Sequence, residues 1–316
     1  MYIQVCLRAI RQQCRTRKWS SIAKVGGTAL AAVLSTQCAS DPQNSTSAEL
    51  LVPSSQKLAG AATFGMGCQT DFQNGYLATL SYAWDNCWSF WNSAVNFMDG
   101  KWAYNLQGGR YWWQQPNGYG NNVNTVEFFF SSTHGGAWTG SNTWGYTPTA
   151  AVYGMWENPY GDSRQMLAYT APGWASYDNI NIPGMPLTVT EGLFTYACDT
   201  HKNDGNIVTR WYPVFAGGLR VATGGWDVLW DGYTNSDDGA NFADNLGGGY
   251  SFAWAWSDGI SDWNTTNHPS TMVTGTGPND SDCTNRLYNM TAQNRLQYPK
   301  YTSANISWMC WSQITD

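Results

Sequence analysis

Apolar and polar positions run in blocks along this chain, and each block carries its own period. Ala61-Ala-Thr-Phe-Gly-Met66 reads as a first strand. Asp71 to Asn86 sets Tyr76, Leu77, Leu80 and Ala83 at helical spacing and predicts a helix. After a Gly/Asn-rich loop at Asn117 to Asn124, Thr125-Val-Glu-Phe-Phe-Phe130 is a β-forming apolar run that ends in Ser131-Ser-Thr-His-Gly-Gly136. A run of this kind fits a parallel strand buried on both faces, and the carboxyl end of such a strand is where α/β sheets place their chemistry. Residues 137–186 are rich in Gly, Pro, Asn and Trp with no long apolar period, which predicts a loop-like insertion. Leu187-Thr-Val-Thr190 and Gly192-Leu-Phe-Thr-Tyr-Ala197 then form a second apolar strand signal that delivers Cys198 at its end. Further on, the pattern predicts a helix at Arg210 to Leu219, a strand at Arg220 to Gly224 and a helix at Asp237 to Leu246. That last helix has Asp238 near its start and Gly247 at its close. Tyr250 to Trp256 reads as a strand or the start of a helix. Strands alternating with helices predict an α/β domain with a mainly parallel sheet, and no repeat or linker divides the chain after residue 57.

The front of the chain has a different character. Arg8, Arg11, Arg15, Arg17, Lys18 and Lys24 precede an uncharged apolar stretch from Val25 to Thr36. A basic region followed by an apolar core too short to span a bilayer predicts an export leader over residues 1–40, with a polar Ser-rich tether at 41–57. An amphipathic helix of the folded domain is the alternative. Cys38 closes the apolar stretch as a lipoprotein acceptor cysteine would, although Gln37 is an unusual residue before one. The expectation is a secreted or cell-envelope protein of bacterial type, touching a membrane only through a lipid anchor at Cys38. Charged residues make up 12% of the chain, about half the usual share. Neutral polar and aromatic residues, 19 Trp and 18 Tyr among them, fill their place. The net charge of −6 excludes a nucleic-acid partner, which needs a basic face.

The cysteines sharpen the picture. Cys6, Cys14 and Cys38 belong to the leader, which leaves Cys68, Cys87, Cys198, Cys283 and Cys310 in the folded part. Five is odd, and disulfides persist outside the cytosol. Local pairing joins Cys68 to Cys87 and Cys283 to Cys310, each bridge contributing roughly 3 kcal/mol in the chain-entropy account. Cys198 is left alone, either buried and structural or used as a thiol.

Two strand-end signals, Phe128-Phe-Phe-Ser-Ser-Thr-His-Gly135 and Gly192-Leu-Phe-Thr-Tyr-Ala-Cys198, resemble the His-Gly and Ala-Cys motifs of the caspase-like (caspase, gingipain and legumain) cysteine peptidases. Downstream, Phe215-Ala-Gly-Gly-Leu-Arg220, Asp238-Gly-Ala-Asn-Phe-Ala-Asp244 and Trp254-Ala-Trp256 are similar to exported bacterial caspase-like proteins of unknown function. The likeness spans roughly residues 60 to 275. It implies a single-domain three-layer α/β sandwich with a mainly parallel central sheet, acting on a peptide or protein substrate without a cofactor. It also implies Cys198 as nucleophile and His134 as general acid/base, with the backbone N–H groups of Gly135 and Cys198 as oxyanion donors. The chemistry is coherent: a thiol attacks as its thiolate, and an imidazole takes the proton and later returns it to the leaving amine. Three departures stand against the pattern. Tyr196 precedes Ala197 where many members carry Gln, Glu or Asp, and the His134-to-Cys198 interval of 64 positions is long. Asp199-Thr-His-Lys-Asn-Asp204 stands where caspases have Arg-Gly, so that Asp199 and Asp204 either favour a basic side chain in the substrate or are solvated loop residues.

Other candidate chemistry is thinner. Cys198-Asp-Thr-His201 has a C-x2-H spacing, but zinc needs three or four ligands and His268 is the one histidine left beyond it and His134. Asp227, Asp231, Asp237 and Asp238 do not follow a Ca2+-loop spacing. Ser131 and Ser132 lie outside a G-x-S-x-G elbow, and no spacing pairs Glu127, Glu157 or Glu191 for glycoside hydrolysis. Tyr111-Trp-Trp113, Trp138, Trp144, Trp156, Trp174 and Trp226 line a cleft or fill the core, with Trp138 and Trp226, beside Asp199, the substrate-binding candidates. Two readings compete with the peptidase: a non-catalytic caspase-like surface binding protein, and a glycan-binding protein that uses the Trp-rich insertion. The oligomeric state stays open.

Overall fold

The computed structural model describes residues 4–9, 61–68, 70, 79–105, 123–135, 151–157, 163–168, 174–177, 180–183, 187–203, 205, 207–261 and 267–314. The elements in chain order are β1 (Gln4–Ala9), β2 (Thr63–Cys68), α1 (Ala83–Ala94), β3 (Asp99–Asn105), β4 (Phe128–Ser132), β5 (Ala151–Glu157), β6 (Ser163–Ala168), β7 (Trp174–Tyr177), β8 (Ile180–Pro183), β9 (Gly192–Tyr196), α2 (Ile207–Ala216), β10 (Val221–Gly225), α3 (Asp238–Gly247), α4 (Phe252–Ile260), β11 (Pro269–Gly275), α5 (Ser281–Asn289) and β12 (Trp308–Gln313).

Seven of these strands form one mixed sheet in the order β12-β11-β10-β9-β4-β2-β3, and β1 runs parallel to β12 at that edge. Strands β3, β2, β4, β9 and β10 are mutually parallel, while β11 is antiparallel to both of its neighbours. The domain is therefore α/β with a mostly parallel sheet. Six residues of the expected leader lie in β1; residues 10–40 and the tether lie outside the described residues.

The period of two along β4 explains why the sheet is buried on both sides. Phe128 and Phe130 point into one core with Phe64, Phe90, Phe194, Phe242 and Trp256, beneath α1, α3 and α4. Phe129 points the other way and packs with Leu193, Trp211, Phe215 and Met272 under α2. Aromatic stacking is close on the first face, where Phe90 lies 4.3 Å from Phe130 with rings 9° from parallel. Such pairs contribute about 0.5–1.5 kcal/mol beyond the area they bury.

Several sequence expectations shift. Of the helix expected at Asp71 to Asn86, residues 71–78 lie outside the described residues; its last part opens α1, Ala83–Ala94, whose buried stripe includes Ala83, Cys87, Phe90 and Ala94. Tyr250 to Trp256 resolves as helix α4, whose N-cap Ser251 accepts the Trp254 N–H at 3.2 Å. Residues 137–186, expected as loop, contain two hairpins, β5 with β6 and β7 with β8. Leu187 to Thr190 is not strand, and β9 begins at Gly192.

At the entry end of the sheet, Glu127, Glu191 and Arg220 stand one position before β4, β9 and β10. Arg295 reaches Glu127 at 2.6 Å and Glu191 at 3.1 Å, and Arg220 meets Glu191 at 3.2 Å. Lys300 approaches Glu191 at 3.4 Å, and the Thr63 N–H donates to Glu127 at 2.7 Å. Two carboxylates that looked scattered in the sequence are brought onto one buried guanidinium. They brace the strand starts, far along the strands from Cys198.

Cys68 pairs with Cys87, and Cys283 with Cys310, at Cα separations of 6.4 and 5.9 Å. The first bridge ties the end of β2 to α1, and the second ties α5 to β12. Two disulfides mark a protein of an oxidising compartment. Among the described residues no helix is long and apolar enough to cross a membrane.

Candidate active site

Strands β4 and β9 are neighbours, and every paired position differs by the same 64 residues, from Phe128 opposite Gly192 to Ser132 opposite Tyr196. The Thr133 N–H continues the ladder to the Tyr196 carbonyl at 3.1 Å. His134 and Cys198 each stand two positions past their strand ends. Gly135 closes the contact. A Cβ built on it would overlap the Cys198 carbonyl oxygen and come within 2.6 Å of the Cys198 nitrogen, so the position admits only glycine. The sequence candidates His134, Gly135 and Cys198 thus lie together on one rim of the sheet.

Cys198 is the free cysteine of the described residues and is half-buried. Its sulfur lies between the two polar backbone groups of Leu229, whose N–H donates to Sγ at 3.4 Å and whose carbonyl accepts from it at 3.5 Å. Burial pushes the thiol pKa up and the Leu229 hydrogen bond opposes it; the charges of Asp199 and Asp227 push it further up. At rest this is a thiol, and it needs a base to become a nucleophile.

The next residue is under backbone strain. Asp199 has φ 55°, the one positive φ at a non-glycine position among the described residues. Its N–H donates to Asp227 O at 2.9 Å, and its carboxylate pairs with Lys202 at 3.0 Å. Strain of this kind gathers at functional sites. Asp204, the other acidic candidate, lies outside the described residues, as does Trp138.

The loop after β10 covers the site. Trp226 N–H donates to His268 O, and His268 N–H to Val228 O, both at 3.0 Å. Trp226 spends its indole N–H on Ile314 O at 2.8 Å and lays its ring 4.9 Å from that of His268, which makes it a clamp on the loop. Beneath the loop, the Tyr196 hydroxyl lies 2.7 Å from Trp230 O and 3.0 Å from Asp238 Oδ2, two acceptors for its single proton. Asn267 donates to that hydroxyl at 3.3 Å and accepts the Trp230 N–H at 2.7 Å. Burial, then the Asp238 charge, hold the Tyr196 phenol well above its ordinary pKa. Tyr196 is thus the post on which the loop rests.

Three of the four aspartates of this region have separate side-chain tasks: Asp227 faces His268 at 3.6 Å, Asp231 accepts the Tyr82 N–H at 3.2 Å, and Asp238 accepts from Tyr196 and Asn235; Asp237 stands at the N-cap of α3 without a side-chain cap bond. His201, at the metal-like spacing from Cys198, is fully in the core with its ring edge-on to Trp211 at 4.9 Å. Burial, then the Arg210 charge, lower its pKa to about 3. Among the described residues no three metal-ligating side chains come together. The sequence did not single out Leu229, whose role is carried by its backbone.

A mostly parallel α/β sheet with a histidine and a free cysteine at adjacent strand ends is what fold and site define. Residues 184–313, from before β9 to the end of β12, match the model of a domain of unknown function, DUF6345. No curated protein and no solved structure matches the chain.

Proposed function

We propose that the chain is an exported caspase-like cysteine endopeptidase. The observation that carries this reading is the packing of Gly135 on the Cys198 backbone, which fixes the His-Gly and Ala-Cys strand ends as one constellation. The strained Asp199 and the unpaired state of Cys198 beside two disulfides support it.

In this reading His134 takes the Cys198 proton, and the thiolate adds to the scissile carbonyl. Its oxygen collects negative charge facing the N–H groups of Gly135 and Cys198. Collapse of the adduct breaks the C–N bond, and the imidazolium gives its proton to the departing amine. Water, deprotonated by His134, then hydrolyses the thioester and restores the thiol. One oxyanion donor of this kind is worth about 3 kcal/mol of transition-state stabilisation.

The raised thiol pKa favours a second reading, a caspase-like surface binding protein that has lost catalysis. A glycan-binding role for the Trp-rich insertion has no such support. The test is labelling by a peptidyl acyloxymethyl ketone together with cleavage of a mixed peptide library. The peptidase labels at Cys198, and His134→Ala and Cys198→Ala each abolish both signals. Alkylation of Cys198 no faster than that of a free buried thiol, with no peptide cleaved, leaves the binding protein.

A further inference from the structure

Helix α1 presents two unlike stripes. Ala83, Asn86, Cys87, Phe90 and Ala94 are buried against the domain. The outer stripe carries Trp84, Trp88 and Trp91, spaced i, i+4 and i+7, so the three side chains follow one another along the helix. Their rings form a row. Trp84 lies 5.8 Å from Trp88 with rings 23° from parallel, and Trp88 lies 6.5 Å from Trp91 with rings 2° from parallel. Trp88, in the middle, is 45% exposed. Trp84 and Trp91 are half-buried and root the row in the core, Trp91 through the Phe64 ring at 4.8 Å. The Cys68–Cys87 bridge ties the same helix to β2. The platform is therefore fixed, and a ligand that lies on it orders little of the protein.

Charge and shape choose the occupant. Rings this close to parallel make a flat strip, not the crossed walls of an aromatic cage for a quaternary ammonium group. Asp85 and Asn92 are exposed on the same stripe and offer hydrogen bonds to hydroxyl groups beside the rings. No Lys or Arg occurs between Cys68 and Gly100, and Lys101 just beyond is paired with Asp99. The strip thus holds no cation for an anionic membrane or an acidic partner. A second copy docked by two-fold symmetry would take the Asp85 carboxylates of both chains out of water together. A neutral polyhydroxyl chain meets none of these obstacles. We propose that the Trp84–Trp88–Trp91 row is a binding site for an extended β-1,4-linked polysaccharide. Its sugar rings lay flat C–H faces on the indoles, and their edge hydroxyls reach Asp85 and Asn92. The site is separate from the Trp-rich insertion at 137–186 and holds whether or not Cys198 cleaves peptides.

Calorimetric titration of the full chain with cellohexaose and with chitohexaose is the test, the second sugar adding acetamido groups to the same backbone. At least one of them binds, and maltohexaose, whose α-linkages curl the chain, binds far more weakly. Trp88→Ala weakens binding about tenfold, the scale of one aromatic contact, and Trp88→Tyr weakens it less. Cys198→Ala and Tyr250→Ala leave it unchanged. If Trp88→Ala does not fold, Asp85→Ala at its exposed position replaces it, with a loss of about threefold, the scale of one hydrogen bond. The proposal is overturned if neither glycan binds, or if both folded variants bind as the wild type does. It is equally overturned if the row instead holds vesicles of phosphatidylcholine and phosphatidylglycerol, or a dimer that Trp88→Ala dissolves in analytical ultracentrifugation.

Discussion

Gly135 lies against the main chain of Cys198 so closely that no side chain fits between them. That contact is the mechanical link between the two strand ends, and it fails first on mutation. Gly135→Ala forces β4 and β9 apart beyond their last paired residues. Overpacking of this order costs roughly 1–3 kcal/mol. A thermal melt reports the destabilisation, and the rate of Cys198 labelling falls at least tenfold in protein that is still folded. Wild-type melting and labelling would mean the contact is not made in solution.

Asp199 gives a second test through its backbone. At φ 55°, a β-branched residue is disfavoured by about 1–2 kcal/mol and glycine is not. Asp199→Val therefore lowers stability by that amount, whereas Asp199→Gly leaves it unchanged or slightly raised. The pair is compared by urea denaturation. Equal losses in both variants would assign the effect to the Lys202 ion pair.

His201 sets part of the acid limit of the fold. Its pKa moves from 6.5 to about 3 in the folded chain, so the unfolded chain binds the extra proton between those values. Its contribution is whole above about pH 6.5 and is lost as the pH falls towards 3, at up to roughly 1.4 kcal/mol per unit. His201→Leu flattens the stability profile in that window, as followed by denaturant midpoints at successive pH values. An unchanged slope would place the imidazole in contact with water.

The entry end of the sheet answers to charge. Glu191→Ala strips Arg295, Arg220 and Lys300 of a shared partner. Removing one member of a buried ionic cluster costs about 3–5 kcal/mol; Arg220 loses its carboxylate, while Arg295 keeps Glu127. Equilibrium unfolding measures the loss. In the folded fraction the labelling rate of Cys198 stays at its wild-type value, because the cluster and the thiol occupy opposite ends of β9.

How much of this was legible in the sequence varies by element. Strands β4 and β9 announce themselves, because Phe128 to Phe130 and Leu193-Phe194 are apolar runs bounded by turn residues. The second half of helix α1, beyond Asn86, went unread, since Trp84, Asn86, Trp88 and Asn92 blur its stripe. Strands β11 and β12 went unread: Ser270, Thr271, Thr274 and Ser312 are buried, and polar residues do not advertise a core strand. His134, Cys198 and Gly135 were found through a short motif at strand ends. Asp227, Asp231, Asp237 and Asp238 look alike along the chain. What separates them is the path of a loop pinned by Tyr196 and Asn267, and no local pattern encodes that path.

The constant offset of 64 between β4 and β9 has a final consequence. Register is fixed where the strands touch, so the number of residues spent between Ser132 and Gly192 is free to change. Doubling a connecting stretch costs only about 0.6 kcal/mol of closure entropy. The intervening hairpins can therefore be exchanged wholesale, as a cassette is, while the strand ends that carry the sulfur stay put.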